Sequence, residues 1–164
     1  MSRPTDEISQ PEYNSFFQAK NPVPVSLPDL HTAPVFYPAA NRLIWISSTG
    51  EIMELNRTEV ASKVANTVPI LCHRRWSEAR AACNINACLD VMELFAFVRP
   101  ARFCLPTPRG LAAALALAMP QSGDDMTAML PRVAFMLLDE LAELPDHEKR
   151  EAADIATMMT SSGW

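Results

Sequence analysis

Four cysteines and three histidines are the side chains in this 164-residue sequence best suited to metal or covalent chemistry. A structural zinc site draws on paired thiolates a few residues apart. Here Cys83 and Cys88 make one wide pair, while Cys72 and Cys104 have no close partner cysteine, so the pattern argues against a metal ligand set. Cys72 and Cys88 sit in apolar runs, where a buried thiol behaves as a small hydrophobe. A cysteine nucleophile needs an imidazole beside it. Cys72 and His73 are neighbours in sequence, but successive residues of a strand face opposite ways and cannot pair. His31 lies in the proline-rich leader, and His147 lies in the first turn of a helix, where solvation accounts for it. No catalytic residue and no metal ligand is assigned.

Phosphate chemistry is no better served. The chain has four glycines and no Gly-x4-Gly-Lys-Ser/Thr loop, so it is not an ATPase of that type. Its one basic cluster, His73, Arg74 and Arg75 reinforced by Arg80, falls where a strand meets a helix start and is the candidate anion contact, to a nucleic acid or to a neighbouring domain. A solvated helix end is the plain alternative. With a net charge of −5, any DNA contact must be local. No apolar run is long enough to span a membrane and no signal-peptide core precedes the rest, which leads us to expect a cytoplasmic protein with reduced thiols.

The elements that would position these residues follow from periodicity and punctuation. Seven of the 14 prolines fall in residues 1–40, which read as an extended leader unable to form a helix or an interior strand. Order is expected from Asn41. Leu43-Ile44-Trp45-Ile46, a Ser-Ser-Thr-Gly turn and the alternating run from Glu51 to Leu55 predict a hairpin. Asn56 with Glu59 forms a capping pair for a helix to about residue 65; Ile70-Leu71-Cys72 is a strand, residues 75–82 a second helix, and residues 85–89 a short segment. Asp90, three residues before Glu93, caps a helix with Val91, Leu94, Phe95 and Val98 on one face. Thr107-Pro108 opens a helix over residues 109–117, and Met126, Leu130, Val133, Leu137, Leu141 and Leu144 form the stripe of a long helix that Pro131 should delay or kink. That stripe reads as core packing. A last helix starts near Asp146 and stops at Gly163, with almost nothing after it, as if the chain were cut there.

This order of motifs resembles a known family. Pro69-Ile-Leu-Cys-His-Arg-Arg-Trp-Ser-Glu78, then Cys88-Leu-Asp90-Val-Met-Glu-Leu94, then Leu105-Pro-Thr-Pro-Arg-Gly-Leu111 and a long helix are similar to the second half of DnaQ-like (DEDD) 3′–5′ exonucleases. Residues 94–111 resemble the N-terminal region of proteobacterial DinG-like ATP-dependent DNA helicases. The resemblance spans roughly residues 40–164 and implies an α/β fold: a degenerate RNase H-like (DnaQ-type) domain, with a small N-terminal sheet followed by several helices. It divides the chain into a leader (1–40), the exonuclease-like domain (41–145) and a C-terminal helix (146–164) leading into a motor beyond it.

The same resemblance implies lost catalysis. Such exonucleases hold two metal ions about 4 Å apart with four carboxylates. Where the first strand should supply Asp-x-Glu this chain has Ile46-Ser47-Ser48-Thr49; Glu78 is the remnant of the second position, with Ser77 where an aromatic residue is usual. Asp90 matches a helix-defining position and not a ligand, and Met126 and Pro131 occupy the neighbourhood of the last motif. The implied role is a non-catalytic module, scaffold or weak DNA contact, with helicase motor domains and DNA as partners and no cofactor of its own; ATP and Mg belong to the motor. The iron–sulfur cluster of some relatives also belongs to the motor and is not implied for these cysteines. A residual metal-dependent exonuclease built on Glu78, Asp90 and Glu93, and a protein-docking module using the leader or the face around Met158 and Met159, are the alternatives.

Overall fold

The computed structural model describes residues 29–161. Residues 1–28, and with them most of the expected leader, lie outside the described residues, as does the stop at Gly163. A mixed five-stranded sheet in the order β3-β2-β1-β4-β5 forms the centre. Strand β1 (Val35–Pro38) pairs antiparallel with β2 (Leu43–Ile46), which pairs antiparallel with β3 (Ile52–Leu55); on its other side β1 runs parallel to β4 (Ile70–Leu71), and β4 parallel to β5 (Leu89–Asp90).

Strand β1 corrects the expectation that no interior strand precedes Asn41. It is the central strand, buried along its whole length. Prolines bracket it without breaking it. The Pro34 carbonyl accepts from the Ile70 amide at 2.8 Å, so this residue contributes an acceptor and needs no donor. Pro38 is the last residue of the strand, opposite Leu43 and beyond the β4 ladder, which spans only Val35 and Phe36. Proline density marked the ends of the strand rather than excluding it.

The sheet alternates strictly between two cores. Val35, Tyr37, Ile70 and Cys72 face one layer, with Phe95 of α3 (Val91–Val98), Leu111 of α4 (Pro108–Ala114) and Leu130, Val133 and Leu137 of α5 (Gly123–Glu143). Phe36, Trp45 and Leu71 face the other, with Val60 and Val64 of α1 (Arg57–Asn66) and Ala81 of α2 (Arg74–Ala81). Helices on both faces explain why β1 and β4 are apolar throughout. Local signals set the helix starts: Asn56 and Glu59 form a reciprocal capping box, Thr107 caps α4 ahead of Pro108, and Ser122 with Asp125 caps α5.

Two further expectations are corrected. Helix α4 ends at Ala114, three residues early, because Ala116 turns left-handed (φ +54°) and the Leu117 amide closes on the Ala112 carbonyl at 2.8 Å. Helix α5 begins at its Ser122 cap and runs through Pro131, so the proline does not delay its start. Burial of its stripe against the sheet holds the turn that proline weakens. The final helix, α6 (Asp146–Ser161), follows a two-residue link at Leu144 and Pro145. Among the described residues no helix is long and apolar enough to cross a membrane.

Candidate nucleic-acid interface

Three parallel strands end together: β1 at Tyr37 and Pro38, β4 just before Cys72 and His73, and β5 at Asp90. The chain leaves β1 toward β2 on one side, while β4 lies on the other. In α/β sheets the crevice outside the carboxyl ends of strands, where the winding reverses, is the usual ligand position.

The sequence cluster is assembled at this edge, in unequal roles. His73 caps α2, its Nδ1 accepting from the Trp76 amide at 3.3 Å. The Arg74 amide donates to Asp90 Oδ2 at 2.7 Å, and its guanidinium donates to Glu78 Oε1 at 3.3 Å. Arg75 is exposed and makes no ion pair among the described residues. Arg80 is turned inward to the chain, donating to the carbonyls of Ala39 (3.0 Å) and Ala40, and so clamps the loop that leaves β1. Three of the four residues thus build the edge; Arg74, Arg75 and Arg80 all remain exposed, and Arg75 is the arginine of the cluster without a hydrogen-bond or ion-pair partner among the described residues.

The carboxylates at this edge are engaged with backbone. Glu78 Oε1 accepts from the Ile85 amide at 2.9 Å in addition to Arg74. Asp90, nearly buried, accepts from Met92 and Glu93 amides through Oδ1 (2.9 and 3.2 Å) and from Arg74 through Oδ2, joining the first turns of α2 and α3. Burial, and then the Asp90 charge, push the Glu93 carboxyl above its usual range, against the pull of Arg74 and His73. The central strand, Val35–Pro38, carries no carboxylate. Among the described residues no group of three or more His, Cys, Asp or Glu side chains is arranged to hold a metal ion. The thiols are poor nucleophiles here: burial pushes Cys88 up to about 12 and Cys72 higher still, and raises Cys83 and Cys104.

Side chains that the sequence reading passed over complete the surface. Trp76 lies over Tyr37, ring centroids 5.5 Å apart and planes inclined by 33°, with 36% of its surface exposed. Burial and then Cys72 raise the Tyr37 hydroxyl, while the positive charges of Arg109 and Arg80 oppose the shift. Arg109 is held by the Pro120 carbonyl at 3.3 Å. The Cys104 sulfur lies 4.0 Å from that of Met92 in the first turn of α3, so the loop after α3 returns across the same end of the sheet, carrying Arg102 and an 86% exposed Phe103. An aromatic residue among arginines was visible in sequence at 74–76 and 102–103, but only folding brings the two stretches to one edge. Charge is polarised to match: residues 73–109 hold six arginines and three carboxylates, whereas residues 110–164 hold three cations and nine carboxylates. The chain matches no family model, no curated protein and no solved structure.

Proposed function

We propose that this chain is a non-catalytic, substrate-contacting module of a DinG-like ATP-dependent DNA helicase, built on a degenerate RNase H-like (DnaQ-type) frame. The sheet order β3-β2-β1-β4-β5, with an antiparallel half and a parallel half, supports the frame. The observation that carries the contact role is the composition of the carboxyl edge: the Trp76–Tyr37 pair, exposed Arg74 and Arg75 on the same helix as Trp76, and Glu78 and Asp90 tied to backbone amides. An aromatic face takes an unpaired base and guanidiniums take the phosphates beside it, a sequence-tolerant mode worth roughly 1–3 kcal/mol per stacked base. Carboxylates engaged with amide donors are not free to bridge two metal ions, which weighs against the residual exonuclease. The motor in the same full-length protein would supply ATP and Mg chemistry, with this module as scaffold or contact.

Fluorescence anisotropy with a labelled oligonucleotide tests the reading. Binding should weaken with rising salt, weaken further in the Arg74→Ala/Arg75→Ala variant, and leave the oligonucleotide full length with Mn²⁺ present. Salt-independent or absent binding removes the DNA role, and metal-dependent shortening replaces the proposal with the exonuclease. The exposed Phe103 and Leu105 favour a second use of the same edge, docking to a protein surface, if DNA is not bound.

A further inference from the structure

Helix α6 is amphipathic but thinly seated. Of its residues 146–160, Ala152 and Met159 are the two that are even half-buried, whereas α5 buries five. Side-chain length contributes: beside Phe97 and Leu141 the helix presents Ala152 and Ala156, which leave space there, while Ile155 and Met159 reach the groove further along. Grooves of about 420, 310 and 530 Å³ therefore stay open along the seam, the first reaching Leu94, Leu138 and the Asp90–Glu93 turn. The side-chain polar contacts of His147, Lys149, Arg150, Thr157 and Thr160 are all made within α6 itself. Among the described residues it joins the core through the short link at Leu144 and Pro145, and Pro145 prevents α5 from running on into it.

We propose that α6 is a detachable strap: it lifts from α3 and α5 as one unit, pivoting at Leu144 and Pro145, and uncovers an apolar surface on Phe97, Leu94, Leu138 and Leu141 while the sheet and α5 remain folded. A segment with few buried apolar contacts opens at far lower free energy than the core. The surface it exposes is continuous with the Asp90 turn that holds α2 and α3 together, so strap position and the carboxyl edge share one support.

Amide hydrogen exchange on the full chain tests this directly. The expected result is a flat, low plateau of protection from Lys149 to Thr157, at least about 100-fold below that of α5 residues 130–137. Filling the seam with Ala152→Leu and Ala156→Leu should raise that plateau at least about tenfold and leave α5 unchanged. Protection in α6 equal to that of α5 would show a fused helix, and protection falling steadily toward Thr160 would show end-fraying; either overturns the strap. So would a seam-filled variant that exchanges like the parent.

Discussion

Replacing Asp90 by alanine removes three accepted hydrogen bonds at once, from Met92, Glu93 and Arg74 amides. Loss of an N-cap costs about 1 kcal/mol. Loss of a hydrogen bond to a charged, nearly buried acceptor costs about 2 kcal/mol. The sum, about 3 kcal/mol, is a large share of the roughly 5–15 kcal/mol that holds a domain together. Asp90→Asn separates the parts, because the amide oxygen can still cap α3 at Oδ1 while its NH2 group faces the Arg74 N–H, donor against donor. We expect about 2 kcal/mol for this variant. Arg74→Pro removes the same bond from the other side: Arg74 is the first residue of α2, where proline is tolerated, and His73 before it is already extended (φ −153°, ψ 121°). Urea unfolding followed by far-UV circular dichroism gives each free energy. The double variant should be clearly less destabilised than the sum of the singles. Additive costs, or an Asp90→Asn loss within the roughly 0.5 kcal/mol typical of surface changes, would refute the idea that one carboxylate joins α2 to α3.

Two further outcomes follow from groups with unusual surroundings. The Ser77 hydroxyl is fully buried without a hydrogen-bond partner among the described residues, so Ser77→Ala should be neutral or stabilising by up to about 1 kcal/mol, read as an unchanged or higher melting temperature; a clear loss would mean the hydroxyl has a role in the fold. Glu93 and Glu140 should respond to pH with opposite signs. Partial desolvation raises the carboxyl of Glu93, whose residue is largely exposed, so its ionisation opposes folding only weakly: Glu93→Gln should stabilise slightly at neutral pH, and the gain should vanish as pH falls below the ordinary glutamate range. The Arg99 hydrogen bond holds Glu140 below that range, so Glu140→Gln should weaken the fold at neutral pH, with the difference lost as pH falls through the depressed value. Parallel pH–stability curves for either variant and the parent would contradict the assignment.

Much of the local structure was legible because it is encoded by short-range chemistry. Asn56 with Glu59, Asp90 with its two following amides, and Thr107 with Pro108 each satisfy the orphan donors of a helix start within four residues, so their effect is visible without the fold. The hairpin from Leu43 to Leu55 is likewise set by alternation and by Gly50 at φ +84°. The central strand was hidden because Pro34 and Pro38 dominate a four-residue element whose partners are remote: Leu43 to Ile46 on one side, and Ile70 and Leu71 on the other.

The candidate edge divides in the same way. Composition alone determined that the chain lacks a phosphate loop and that its basic residues concentrate between 73 and 109. Which arginine is held in place was decided by tertiary structure, since Arg80 finds carbonyls about 40 residues away while Arg75, five positions earlier, finds none among the described residues. The stacking of Trp76 on Tyr37, the joint of α2 to α3 through Asp90 and the open seam beneath α6 also depend on contacts between distant segments. Capping and alternation act over a few residues and are written in residue order; pairing across a sheet and packing between helices depend on loop paths and side-chain reach, which exist only once the whole chain has folded.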